Sequence, residues 1–138
     1  MQLIEIYNHI TAGYHPLLIR SKWQVAKSNC QLENGVGNIH QIEVYYKTDE
    51  VFILHKGVAE LIAAKKKDKE LNFEMIKMVQ NDIYNIPKGV WHAIAMKEEA
   101  EIILVVDVNT HLENYELYEM SEEQRKILNA AIAICINK

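Results

Sequence analysis

At 138 residues, 49% hydrophobic and 25% charged, the chain has the length and balance of one globular unit, which excludes a disordered or fibrous protein. A net charge of −4 supplies no basic field for phosphates, so nucleic acid is not expected as a partner. No apolar stretch reaches bilayer length, and the opening MQLIEIYNHI lacks the basic start and apolar run of an export signal; a cytoplasmic protein with no membrane partner is expected.

Short segments rich in β-branched and aromatic residues follow one another along most of the chain and read as strands. They are Leu17–Arg20, Trp23–Cys30, Ile39–Tyr46, Val51–His55, Val58–Ala64, Leu71–Val79, Asp82–Ile86, Val90–Met96 and Glu101–Val108. Asn34-Gly35, Lys56-Gly57, Asn81-Asp82 and Pro87-Lys88-Gly89 supply turn chemistry between them. Many short strands at close spacing predict an all-β sandwich or barrel. Lys65, Lys66, Lys67 and Lys69 fall between two such runs and read as a solvated hairpin tip. Cys30 and Cys135 stand far apart and outside any CxxC pair, which predicts free thiols rather than a zinc site or a disulfide.

After the last strand the pattern changes. Ser121 and Gln124 have the spacing of a capping box, and Glu122 and Glu123 suit the positive end of a helix dipole. Ile127, Leu128, Ala131 and Ile134 then recur at helical spacing, so an amphipathic helix is expected over about residues 121–134. It carries no chemistry.

Two segments do. Thr48 to Gly57 read TDEVFILHKG, and Tyr84 to His92 read YNIPKGVWH, placing a carboxylate and an imidazole on strands expected to be neighbours. Period-two alternation puts Glu50 on one face with Phe52 and Leu54, and His92 on one face with Val90, Ile94 and Met96, while Trp91, Ala93 and Ala95 point the other way. Each polar group therefore ends an apolar, inward-looking row. Poor solvation there shifts pKa values and makes both groups available to a ligand or a proton. The plainer alternative is that His92 only hydrogen-bonds Glu50 and ties two strands together.

These segments resemble the paired motifs of the cupins. The first cupin motif is two histidines one residue apart, three or four residues, a glutamate, six residues and a glycine; Glu50 and Gly57 match its second half. The second runs glycine, five residues, proline, one residue, glycine, two residues, histidine, three residues, asparagine; Pro87, Gly89 and His92 match, while Asn81 and Met96 stand at its ends. The resemblance implies an all-β, single-domain cupin β-barrel (double-stranded β-helix or jelly roll) spanning about residues 14–110, with the C-terminal helix behind it. It also implies a dimer, for which Ile42, Val44 and Tyr46 would form an apolar outer row.

Cupin metal sites typically use both first-motif histidines, the glutamate and the second-motif histidine. Here the histidine positions fall on Glu43 and Tyr45, or in the shorter register on Val44 and Tyr46. The first register makes Gln41, Glu43 and Tyr45 one polar face, so the barrel would present Gln41, Glu43, Tyr45, Glu50 and His92. No cofactor is expected from this set; a divalent metal, if bound, would take Glu43, Glu50 and His92, a donor set suited to a hard ion. Asp107, Asn109 and His111 alternate at the end of the last long strand, and Asn109 is a further candidate ligand contact. Trp23, Tyr84 and Trp91 are candidates for a pocket wall.

The leading functional expectation is binding of a small polar metabolite, a sugar or a carboxylic acid, inside the barrel. The alternative is an isomerase, epimerase or lyase in which His92 works with Glu50 or Glu43 as acid and base. A third class, a subunit or sensor without chemistry of its own, stays open.

Overall fold

The structure is a computed structural model that describes residues 2–8, 11–108 and 114–138. Among these, ten strands run in chain order: β1 (Tyr14–Ile19), β2 (Trp23–Asn29), β3 (Gln41–Tyr45), β4 (Glu50–Lys56), β5 (Ala59–Lys67), β6 (Glu70–Lys77), β7 (Ile83–Ile86), β8 (Trp91–Met96), β9 (Glu101–Asp107) and β10 (Tyr115–Glu119). A helix, α1 (Glu122–Ile136), follows. The strands form two five-stranded sheets, ordered β1-β2-β9-β4-β7 and β10-β3-β8-β5-β6. This is the jelly-roll arrangement that the strand spacing and the cupin-like motifs predict.

Alternation explains how the sheets pack. In β4 the buried positions are Glu50, Phe52 and Leu54, and in β9 they are Ile102, Leu104 and Val106. Phe52, Leu54, Ile102 and Leu104 of the first sheet meet Ala59, Leu61 and Met96 of the second to form the barrel core. The second sheet is covered on its other face as well. There Ile42, Ile62, Ala64 and Ala95 pack with Leu128 and Ile132 of α1. Each such isoleucine or leucine side chain, wholly removed from water, contributes roughly 1.5–3 kcal/mol.

The helix is capped as its sequence dictates. The Gln124 amide donates to the Ser121 hydroxyl, and the Gln124 side chain accepts from the Ser121 amide. Its buried stripe is Leu128, Ile132 and Ile136, so Ile127 and Ile134, expected to face inward, are exposed instead. Four-residue steps follow one face over two turns, whereas Ile127 and Ile134 lie a heptad apart on the far side. Asn129 fastens the helix by accepting from the Ile39 amide and donating to its carbonyl.

Four other expectations change. β1 begins at Tyr14 rather than Leu17, because it is an edge strand that tolerates Pro16 with a register shift between Pro16 and Leu18. The barrel extends past residue 110, since β10 pairs with β3 from Tyr115 to Glu119. Ile42 and Val44 form no outer row for a partner; both are buried within the chain, and of the three only Tyr46 is exposed. Lys66 is no solvated tip, for its ammonium lies 5.5 Å from the Trp91 ring and 4.9 Å from the Tyr118 ring.

Glu60 is the polar exception on the helix-covered face. It is wholly buried, and no donor among the described residues reaches either carboxylate oxygen in hydrogen-bond geometry. Its proximity, ahead of burial, pushes the Cys135 thiol above the ordinary range. Cys30 and Cys135 are free thiols, as expected. No described helix is long and apolar enough to cross a membrane.

Candidate functional site

Glu43 and His92 stand directly opposite each other on β3 and β8. This fixes the register in which Gln41, Glu43 and Tyr45 share the inward face. Glu50 opens β4 and therefore comes from the other sheet. The expectation that Glu50 and His92 lie on neighbouring strands is corrected: periodicity assigns faces, but the loop at residues 46–49 carries the chain from one sheet to the other.

The imidazole bridges the barrel. His92 Nε2 lies 2.9 Å from Glu50 Oε1, and Nδ1 lies 3.1 Å from the Val90 carbonyl oxygen. A carbonyl can only accept, so Nδ1 carries a proton, and one more proton sits between Nε2 and Glu50. His92 is 2% and Glu50 5% exposed, so this charge-assisted pair is almost wholly screened from water. Glu43 Oε1 is 3.7 Å from Nε2, too far for a good hydrogen bond, while its Oε2 accepts from the Tyr45 hydroxyl at 3.3 Å. The rings of Tyr45 and Phe52 each lie 5.8 Å from the imidazole. Beyond this cluster the barrel is not filled by its own side chains. A cavity of about 370 Å³ remains, lined in part by Gln41, Glu43, Tyr45, Glu50 and His92.

Burial by itself would depress the His92 pKa, but the hydrogen bond and charge of Glu50 and the charge of Glu43 outweigh it and leave the value above the ordinary 6.5. Glu43 is also raised, chiefly by burial, with the Glu50 charge adding and His92 opposing. Burial and the same two carboxylates push Tyr45 up, so its hydroxyl stays protonated. Because the His92 value is higher folded than unfolded, its stabilisation is complete below about pH 6.5 and is lost as pH rises through the folded value. Urea midpoints are expected to fall as pH rises above about 6.5, and His92→Gln should remove most of that slope. A slope unchanged in the variant would assign it to other groups.

Several residues of this site were not expected from the sequence, Tyr14, His40 and Glu33 among them. Tyr14 lines the cavity, and its hydroxyl accepts at 2.9 Å from the side-chain amide of Gln24, a residue only 1% exposed. Burial, then the Glu50 charge, raises the Tyr14 pKa. His40 also lines the cavity, with Nδ1 3.0 Å from Glu119, which in turn pairs with Arg125. A polar residue in an inward row was the available signal for Gln24; Pro16 hid the strand that carries Tyr14.

Trp23, Tyr84 and Trp91 do not line this cavity. Trp91 faces α1, Tyr84 packs against the core and accepts from the Val79 amide, and Trp23 is 44% exposed. Asp107 ends β9, while Asn109 and His111 lie outside the described residues.

The ligand atoms of Glu43, Glu50 and His92 lie within 4.8 Å of one another, which fits a hard divalent ion held by two carboxylates and one imidazole. Such an ion would polarise an oxygen of a bound molecule. It would also have to displace the proton between His92 and Glu50.

No protein-family model matches the chain, and no curated protein matches it by sequence. Solved structures do. A cupin-2 domain containing protein from Shewanella frigidimarina is 21% identical, over 71% of this chain and 82% of that one, with a TM-score of 0.50. BH2720 from Bacillus halodurans is 17% identical, over 86% and 83%, with a TM-score of 0.56. Pac13 from Streptomyces, a nucleoside dehydratase, is 11% identical, over 86% and 89%, with a TM-score of 0.57. With its two antiparallel sheets, its cavity between them and its C-terminal helix, the chain has the fold of the cupin superfamily.

Proposed function

We propose that the chain binds a small polar molecule in the barrel cavity, against Glu43, Tyr45, Glu50 and His92. The observation that carries this reading is the unfilled space of about 370 Å³ beside a buried imidazole and two carboxylates. That volume lies in the range of small-ligand sites, and the wall sets polar and charged side chains among apolar and aromatic ones. A sugar or other hydroxylated molecule suits these acceptors better than a carboxylic acid, which would meet carboxylates and no lysine or arginine among the described lining residues. Thermal-shift screening of sugars, polyols and amines, followed by calorimetry, tests the reading. Expected is a ligand whose affinity falls at least tenfold in Tyr45→Phe or Glu43→Gln. Ligands indifferent to both substitutions would place binding elsewhere.

A second reading is an isomerase, epimerase or lyase working by acid–base chemistry, and one feature favours it. Glu43, with its raised pKa, is part-exposed to the cavity, whereas His92 and Glu50 hold each other. Glu43 is then the group that exchanges a proton with substrate, and His92 with Glu50 sets its charge environment. The fold supports several chemistries, so likeness to a dehydratase does not choose among them.

A further inference from the structure

We infer that the molecule held in the cavity carries a cationic nitrogen on a partly apolar body. This deepens the binding reading above and rests on it.

Three carboxylates line the cavity: Glu50 at its floor, Glu43 on its wall and Glu33 at its rim. No lysine or arginine lines it among the described residues, and the remainder of the chain, Met1, His9, Ile10 and residues 109–113, contains neither. The imidazole does not reverse this balance, because at 2.9 Å from Glu50 its charge is already matched by a buried carboxylate. Even with His92 and His40 both protonated, three ionised carboxylates leave one negative charge in excess.

That charge has a place to be answered. Glu43 Oε2 is engaged by the Tyr45 hydroxyl, but no described donor hydrogen-bonds Oε1. The neighbouring surfaces are ring faces, Tyr45 against His92 and Tyr115 behind Tyr45, and such faces attract cations as well as hydrophobic groups. Deeper in, Ile102 and Leu104 offer only apolar contact. An ammonium at Glu43 with a hydrocarbon body inward satisfies both halves of the cavity. An anionic ligand would instead give up its hydration to a wall that holds three carboxylates and, among the described residues, no lysine or arginine.

A matched series tests the charge alone. Benzylamine, benzyl alcohol and benzoate share a ring and differ in the group on it; each is titrated at neutral pH into isotopically labelled full-length protein and followed through the His92, Glu43 and Tyr45 resonances. Benzylamine is expected to bind about tenfold tighter than benzyl alcohol, with benzoate weakest. Glu43→Gln, isosteric and part-exposed, should remove the preference, and the rim substitution Glu33→Gln should reduce it. Binding of the alcohol or of benzoate at least as tight as the amine overturns the inference and leaves the pocket standing. An amine preference that survives Glu43→Gln overturns it too. If none of the three moves these resonances, the binding reading falls and the inference with it.

Discussion

Replacing His92 with leucine is expected to lower the unfolding free energy by about 3–5 kcal/mol, because it strands the Glu50 carboxylate in the barrel without its partner. Its oxygen meets His92 at 2.9 Å, and the other polar groups that feel its charge, the Tyr14 and Tyr45 hydroxyls and the Glu43 carboxyl, bring no positive charge to replace the imidazole. The penalty belongs to the orphaned charge rather than to the lost imidazole. The double variant His92→Leu with Glu50→Met should therefore recover much of the loss, since similar-sized apolar pairs often replace a buried ion pair at little cost. Chemical denaturation of the two variants decides it; a single variant as stable as the parent would mean that the pair contributes nothing to stability. The acid–base alternative read from the sequence implies that His92→Ala removes turnover and leaves the fold intact. The cross-barrel bridge contradicts that expectation, so loss of binding in His92→Ala reports unfolding as readily as chemistry. Glu43 and Tyr45, which bridge nothing between the sheets, give the cleaner probes.

The second large effect is at Gly57. Gly57→Ala is expected to cost about 2–5 kcal/mol, the sum of a left-handed backbone penalty and an overpacking penalty. Its φ is +84°, and a Cβ placed there would stand 2.6 Å from the Cα and 2.9 Å from the nitrogen of Ala100. Backbone cannot move aside as the tip of a side chain can. Gly89, the glycine of the second motif, supplies the control. Its φ is +85°, yet no atom lies within 4 Å of its added Cβ, so Gly89→Ala should show only the conformational part, about 1–2 kcal/mol. Denaturant midpoints for the two variants should differ in this order. Equal losses would show that backbone conformation alone accounts for both glycines.

How much of this was legible in the sequence depends on what each signal encodes. Alternation put Glu50, Phe52 and Leu54 on one face and His92 on another inward row, and both are buried in the barrel. It also chose the register that brings Glu43 opposite His92. Alternation cannot say which sheet a strand joins, and so the Glu50–His92 contact read as a neighbour pair when it crosses the barrel. β10 escaped because YELYE sets charged and aromatic residues side by side on an edge strand that is mostly exposed. The capping box gave the start of α1 to within one residue, whereas its buried face was misassigned at Ile127 and Ile134 because an apolar residue need not be an inward one. Gln24 and Tyr14 depended on a strand that Pro16 disguises.

The route of the chain through the two sheets also governs how the protein reaches its folded state. The β5–β6 hairpin joins consecutive segments and is free to form early, but β2 must find β9 near the other end of the chain, and Glu50 must find His92 42 residues away. Pairings so distant close only after the intervening loop entropy has been overcome, which puts this barrel among the slow folders, on the millisecond-to-second scale. The cavity exists only once both sheets have met. A chain arrested with one sheet formed would therefore hold half the acidic cluster, an uncovered apolar face and no place for a ligand, so binding can rescue only molecules that have already completed the search.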